Sequence, residues 1–273
     1  MRKTLGLLGC ILLLITALFA TTAVVQADEV IKLKYAQIFP PAHKNAVLSQ
    51  EWCKEIEKRT NGRVKITYFP GNTLTPPTQT YDSVVKGIAD IGQSLVAYAP
   101  GRFPLTEVLG LPLGYTSGEQ ATKLANEYYK KFTPKEFQDT KIMYIHGHPP
   151  GLFHTKKEVK GIEDVKGLRF KANVENAPIV AAMGGIPVTL PITETYEGLQ
   201  KGLVDGVLLP IEPIKGWKLA DVLKTTIVDT SMSYTAPIFV TMNKQKWESL
   251  PKDIQEIIEK VNAEWIEKQA KLW

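Results

Sequence analysis

The chain is poor in the residues that crosslinking and reactive chemistry need: among 273 residues there are two cysteines and four histidines. Cys10 lies in an apolar leader, so an exported chain that has lost the leader keeps only Cys53 and has no internal disulfide to brace it. Cys53, in "EWCKEIEK", reads as a small core residue on a helix rather than a nucleophile. There is no GxSxG elbow, no phosphate-cradling glycine-rich loop and no CxxC pair, which removes the commonest signatures of acyl transfer, nucleotide binding and thiol redox chemistry. Dense basic runs and base-stacking motifs are also missing. The alternating Lys and Glu of "KEIEKRTNGRVK" describes a solvated helix face, and no nucleic-acid partner is expected. What is present is an ordinary globular composition, 44% hydrophobic and 22% charged, in a chain long enough for two modest domains.

Met1, Arg2 and Lys3 precede an uncharged run from Thr4 to Ala27 that ends in Val25-Gln26-Ala27. This is the pattern of a secretory signal peptide over residues 1–27, cleaved after Ala27, and it predicts a periplasmic protein. An uncleaved membrane anchor and lipidation at Cys10 in "LLGC" are the alternatives, the second weakened because the apolar run lies mostly after Cys10. Cleavage removes Arg2 and Lys3 and takes the formal net charge from +5 to +3, too mild a charge to dictate a partner.

Periodicity alternates strand with helix. "VIKLKYAQIF", the helical "KNAVLSQEWCKEIEKRTNG" and "RVKITYFPG" predict a parallel crossover unit. A helix over 78–87, the strand "IADIGQSLVAY", a helix over 117–132 capped by Ser117 and the strand "KIMYIHGH" follow. After "PPG" the pattern begins again. "LFHTKK", the turn "IEDVKG", "LRFKA", a helix near 176–183, "IPVTL", a second helix from Pro191 and "VDGVLL" lead to the strands "KTTIVDT" and "APIFVTMNK". A helix from Pro251 then runs to the last residue.

Two segments of these runs match. "TQTYDSVVKGIAD" (78–90) and "TETYEGLQKGLVD" (193–205) are identical at six of thirteen positions. Each reads as a helix closed by a left-handed glycine, Gly87 or Gly202, and turning through two apolar residues and Asp into a parallel strand. Two such copies in two separate runs predict an α/β fold of two similar lobes, with a ligand cleft at the carboxyl ends of the strands.

The candidate chemistry is sparse. His146 and His148, two apart on a strand, would share a face and offer two metal ligands, the basis of an alternative reading as a secreted metal-dependent hydrolase. Glu194, Glu197, Asp205 and Glu212 are spaced as helix faces and turns. In "LRFKANVENAP" the strand period places Arg169 and Lys171 on one face, beside Asn173 and a helix start, either as a carboxylate site or as an exposed basic edge.

The stretches "RTNGRVKITYFPGNTL", "VVKGIADIG", "YAPGRFPL", "EDVKGLRFKAN", "MGGIPVTLPITETYEGLQKGLVDG" and "LPKDIQEIIEKV" resemble, in order and over nearly all of the chain after the leader, the DctP-type solute-binding proteins of tripartite ATP-independent periplasmic (TRAP) transporters. The resemblance implies a periplasmic-binding-protein-like fold: domain I over 28–148 plus 235–273 and domain II over 149–234, joined by a hinge. It implies a non-enzymatic monomer without cofactor or metal, which closes around a small organic anion and delivers it to a sodium-driven membrane permease. It also implies that members continue beyond the point matching Trp273 with further helix and domain II residues. A binding protein of an ATP-driven importer is an alternative with the same fold.

The family's carboxylate-binding arginine in "KGLKIR" falls on Lys171 of "KGLRFK", which replaces a planar fork by a point charge; Arg169 is the second candidate. A polar residue that many members place before proline is Leu209 here, and a second arginine of some members falls near Gly151, with His148 as its substitute. The resemblance thus implies a less polar pocket, for a carboxylate with an apolar or aromatic body. Phe39, Tyr98, Trp217 and Tyr234 are its candidate walls. Arg102 is a candidate second cation or an intradomain ion pair, Glu212 a partner for a ligand donor or for Lys215, and His43 a group at a helix N-terminus facing the cleft.

Overall fold

A computed structural model of the chain describes residues 29–231 and 234–273. The expected signal peptide, its cleavage point and Cys10 lie outside the described residues. Among the described residues no helix is long and apolar enough to cross a membrane.

Strand β1 (Ile31–Gln37), helix α1 (Lys44–Arg59) and strand β2 (Val64–Phe69) form the expected crossover, with β1 and β2 parallel from Ile31 opposite Val64 to Ala36 opposite Phe69. Helix α2 (Thr80–Val85), β3 (Ile91–Leu95), α3 (Gly118–Phe132) and β4 (Thr140–His146) follow. Ser117 caps α3 as its sequence predicts, accepting from the Gln120 amide at 3.1 Å. The chain then builds β5 (Leu152–Thr155), β6 (Arg169–Ala172), α4 (Ala177–Ala182), β7 (Ile186–Thr189), α5 (Ile192–Gln200), β8 (Gly206–Leu209), α6 (Glu212–Gly216) and β9 (Thr225–Ile227). It closes with β10 (Ile238–Asn243), α7 (Lys244–Ser249) and α8 (Lys252–Leu272). The short helices α6 and α7 carry no periodic signal and were not expected.

Two five-stranded sheets result, in the orders β2-β1-β3-β10-β4 and β7-β6-β8-β5-β9. Each joins parallel strands to antiparallel ones: β10 runs against β3 and β4, and β5 against β8 and β9. The chain leaves the first sheet after β4 and returns to it at β10, so the molecule has two α/β lobes linked by crossing segments. Alternate residues of β10 enter different cores. Val240 packs with Trp52, Ile258 and Trp265 under α1 and α8, and Phe239 with Tyr81, Phe103 and Phe137. Cys53 belongs to the first of these, and burial pushes its thiol far above the usual range, as expected of an inert core residue. Phe153, Val165, Phe170 and Leu208 fill the second lobe. A further cluster joins both lobes, with Phe39, Tyr98 and Ile238 of the first packed among Ile192, Leu199, Val207 and Leu209 of the second.

The duplicated segment folds into the same local bonds twice. The hydroxyls of Thr80 and Thr195 donate to the carbonyls of Pro76 and Pro191, both at 3.2 Å. The amides of Ile88 and Leu203 reach back to Ser83 and Gly198 at 2.9 and 2.8 Å. The terminal aspartates act alike. Asp90 donates its amide to the Lys34 carbonyl and accepts the Lys34 amide on its carboxylate at 2.7 Å; Asp205 does the same with Arg169 at 3.0 Å. Each Asp thereby fixes the loop to the neighbouring strand before the chain enters β3 or β8. The first helix is shorter than its sequence indicates, because a 3₁₀ turn at Pro77–Gln79 precedes α2.

Gly87 and Gly202 close these helices at φ of 72° and 75°, and a Cβ at either would meet no heavy atom within 4 Å. Gly87→Ala and Gly202→Ala should therefore each cost only the left-handed backbone strain, about 1–2 kcal/mol, read as lowered urea midpoints.

Candidate ligand-binding cleft

Between the lobes lies a small cavity lined by residues of both. The first lobe supplies Phe39 beyond β1, Tyr98 beyond β3, His148 beyond β4 and Trp273 at the end of α8; the second supplies Lys171, Asn173, Leu209 and Trp217, with Tyr234 on the returning segment. Ile38, Leu95, Ile192, Pro210, Pro213 and Ile238 complete a wall that is mostly apolar. Eight of the residues singled out in the sequence thus come together: Phe39, Tyr98, His148, Lys171, Asn173, Leu209, Trp217 and Tyr234.

Among the described residues Lys171 is the single full cation on this wall, 1% exposed, and its Nζ donates to Asn173 Oδ1 at 2.7 Å. Burial draws its ammonium down to about 8. Beyond Asn173 stands Glu175, whose Oε1 is 3.4 Å from Asn173 Nδ2 and whose Oε2 is shut away without a partner. Burial raises the Glu175 carboxyl to about 7, while the nearby Lys171 ammonium pulls it down and the Glu107 carboxylate pushes it up. No direct ion pair joins Lys171 to Glu175, so the ammonium is left with hydrogen-bonding capacity towards the cavity.

His148 is held by its surroundings. Its Nδ1 lies 2.7 Å from the Pro149 carbonyl, and the ring sits edge-on to Tyr234 and Trp273, with centroids 5.4 and 6.1 Å away. Burial, opposed by the bond to Pro149 and helped by Lys171, lowers its pKa to about 4. The Tyr98 hydroxyl accepts the Ile192 amide at 2.8 Å, so a first-lobe tyrosine caps α5 of the second lobe. Tyr234 donates to the Leu208 carbonyl at 2.8 Å, and its ring occupies the space beside Gly151: a Cβ there would come within 1.8 Å of Tyr234 Cε1. No side chain fits at 151 while the ring stands there.

Four of the candidate residues do not line this cavity. Arg169 is 43% exposed on its side chain and forms a bidentate pair with Asp205, both contacts at 3.0 Å; it stands two residues, about 6.6 Å, before Lys171 on β6 and does not line the cavity. Arg102 faces outward, 3.1 Å from Asp139 and 3.5 Å from Asp82, over the ring of Tyr81, so the intradomain ion pair holds rather than a second cation in the site. His43 is the N-cap of α1, accepting the Asn45 amide on Nδ1 at 3.1 Å, and its Nε2 lies 3.0 Å from Glu212 Oε2 without an aligned hydrogen bond. Glu212 thus meets neither the cavity nor Lys215 but a residue of the other lobe. His43 and Glu212 flank a separate surface hollow beside Trp217.

The metal alternative loses one of its two ligands. His146 accepts the Trp273 indole N–H on Nδ1 at 3.0 Å and has the Gln93 carboxamide 2.8 Å from Nε2, so both ring nitrogens are engaged. Among the described residues no group of three His, Cys, Asp or Glu is placed to hold a metal ion. The sequence reading missed Trp273 and Glu175. Trp273 continues the buried stripe of Trp265 and Gln269 at a spacing of four, a signal that was present; Glu175 offered none.

Glu175 makes stability depend on pH. A carboxyl whose folded pKa exceeds its unfolded value binds its proton more tightly in the folded state, so it costs stability as pH rises. The unfolding free energy should fall between about pH 4.5 and 7, and Glu175→Gln should flatten that window in chemical denaturation at a series of pH values. Lys171 acts in a separate window, its burial cost being relieved as pH rises above about 8.

Residues 36–273 match the model of the family described as bacterial extracellular solute-binding protein, family 7, DctP. A solute-binding protein of Albidiferax ferrireducens is 26% identical over 229 residues, 80% of this chain and 65% of the relative, so the chain spans about two thirds of that relative's length. A TRAP solute-binding protein of Rhodoferax ferrireducens, solved with copurified benzoate, superposes with a TM-score of 0.82 at 29% identity, covering 88% of this chain and 78% of the other. One from Bordetella bronchiseptica, with bound (R)- and (S)-mandelate, gives 0.82 at 28% identity, covering 89% and 79%. With a family match over nearly the whole described chain and the same two-lobed architecture in these structures, the chain belongs to the DctP family of bacterial extracellular solute-binding proteins.

Proposed function

We propose that this chain is the periplasmic solute-binding subunit of a TRAP transporter, and that it captures a small monocarboxylate with an aromatic or apolar body and delivers it to the membrane permease. The observation that carries the reading is Lys171: a buried ammonium, bonded among the described residues only to an amide oxygen, facing a cavity walled mostly by aromatic and aliphatic side chains. A ligand carboxylate supplies the missing counter-charge and its body fills the apolar space. Benzoate and mandelate in the Rhodoferax and Bordetella proteins are ligands of this chemistry.

Residues 28–148 with 235–273 act as domain I and 149–234 as domain II, and closure follows a shift of population. A ligand held by Lys171 on one lobe and by Phe39, His148 and Tyr98 on the other stabilises the closed state by contacts that the open state lacks. The family match and the absence of a metal-ligating group among the described residues leave the hydrolase reading without support.

Calorimetric titration of the purified chain with benzoate, phenylacetate, 3-hydroxybenzoate and mandelate tests the reading, and binding of none of these monocarboxylates overturns it. Lys171→Ala should weaken binding by about 1.5–3 kcal/mol, roughly 10- to 150-fold, through loss of a charge-assisted hydrogen bond. Arg169→Gln and Arg102→Gln should leave the affinity unchanged, since both side chains are spent on surface ion pairs. Uptake by reconstituted transporter should require sodium; uptake driven by ATP alone would assign the chain to the other importer class.

A further inference from the structure

We propose that His148 determines which carboxylates are taken: its Nε2 accepts a hydrogen bond from a hydroxyl or N–H group of the ligand, so that donor-bearing monocarboxylates are preferred over bare monocarboxylates and over dicarboxylates. This rests on the reading of the cavity as a monocarboxylate site.

The argument begins with the tautomer. Nδ1 lies 2.7 Å from the Pro149 carbonyl, and a carbonyl oxygen only accepts, so Nδ1 carries the proton. In a neutral imidazole Nε2 then presents a lone pair. The ring stays neutral because it is buried and stands near the Lys171 ammonium, both of which oppose a second proton. Among the described residues Nε2 has no hydrogen-bond partner, and the ring lines the cavity. Tyr234 and Trp273 stand edge-on to the imidazole and fix its plane.

The neighbouring oxygens are already bonded. Asn173 Oδ1 accepts from Lys171, the Tyr98 oxygen accepts the Ile192 amide, and the Tyr234 hydroxyl donates to Leu208. A ligand that buries Nε2 without offering a donor leaves a polar atom desolvated and unpaired. A second carboxylate fares worse, because it sets lone pairs against a lone pair in a cavity with one cation, and Glu175 lies behind Asn173.

The test is calorimetric, at neutral pH, on matched acids: phenylacetate against mandelate, benzoate against 3-hydroxybenzoate, and phenylmalonate as the dianion. At least one hydroxylated acid should bind about 10-fold or more tightly than its parent, and phenylmalonate more weakly than phenylacetate. In His148→Phe the ratio of hydroxylated acid to parent should collapse to about one. Should that variant fail to fold, nitrogen NMR of the wild-type histidines serves instead: the unprotonated Nε2 signal of His148 should move with the hydroxylated acid and not with its parent. Equal affinities within both pairs, a preference that survives in His148→Phe, or tight phenylmalonate binding overturns the inference alone. Failure of all five acids to bind overturns the monocarboxylate reading and this inference with it.

Discussion

The site depends on one constraint: an ammonium held inside protein without a carboxylate in contact. Burial of a charge is tolerated only where polar partners surround it or where the group sheds its proton. Among the described residues Lys171 has one amide oxygen within hydrogen-bonding distance and a carboxylate set back behind it, an arrangement that leaves the cation under-compensated on the cavity wall. The aromatic wall serves the same end. It keeps water and competing dipoles away, so that an incoming anion meets the charge in a medium of low polarity.

The duplicated segment shows how two lobes of like design came to differ. Pairing Tyr35 with Ile91 in one lobe and Phe170 with Gly206 in the other makes Ala36 the counterpart of Lys171 and Gly92 the counterpart of Val207. In the first lobe that place is closed: a Cβ at Gly92 would come within 2.6 Å of Val84 Cγ2, so α2 lies hard against the strand. The second lobe carries the long cationic side chain at the same place. The two aspartate brackets and the two glycine-closed helices hold the frames constant while the strand residues diverge.

What the sequence disclosed and what it withheld divide along physical lines. Strand and helix order, the Ser117 cap and the closing glycines were legible because each depends on residues within a few positions of one another. Lys171 was legible through the family motif around it. For Arg169 the sequence left a carboxylate site and an exposed basic edge both open, because the partner that decides between them, Asp205, stands on another loop, although the matching Asp90 in the first copy offered a hint. Tyr98 as the cap of α5 and the meeting of His43 with Glu212 are contacts between lobes, which no local pattern encodes.

Gly151 and Tyr234 bear on how this cavity arose and where it can go. With the tyrosine ring lying where a side chain at 151 would begin, a larger residue there cannot be accepted one step at a time. Tyr234 must shrink or turn first, and in doing so it gives up its bond to Leu208 and its contact with His148. The order of substitutions at the two positions is therefore constrained by the cost of the intermediate step.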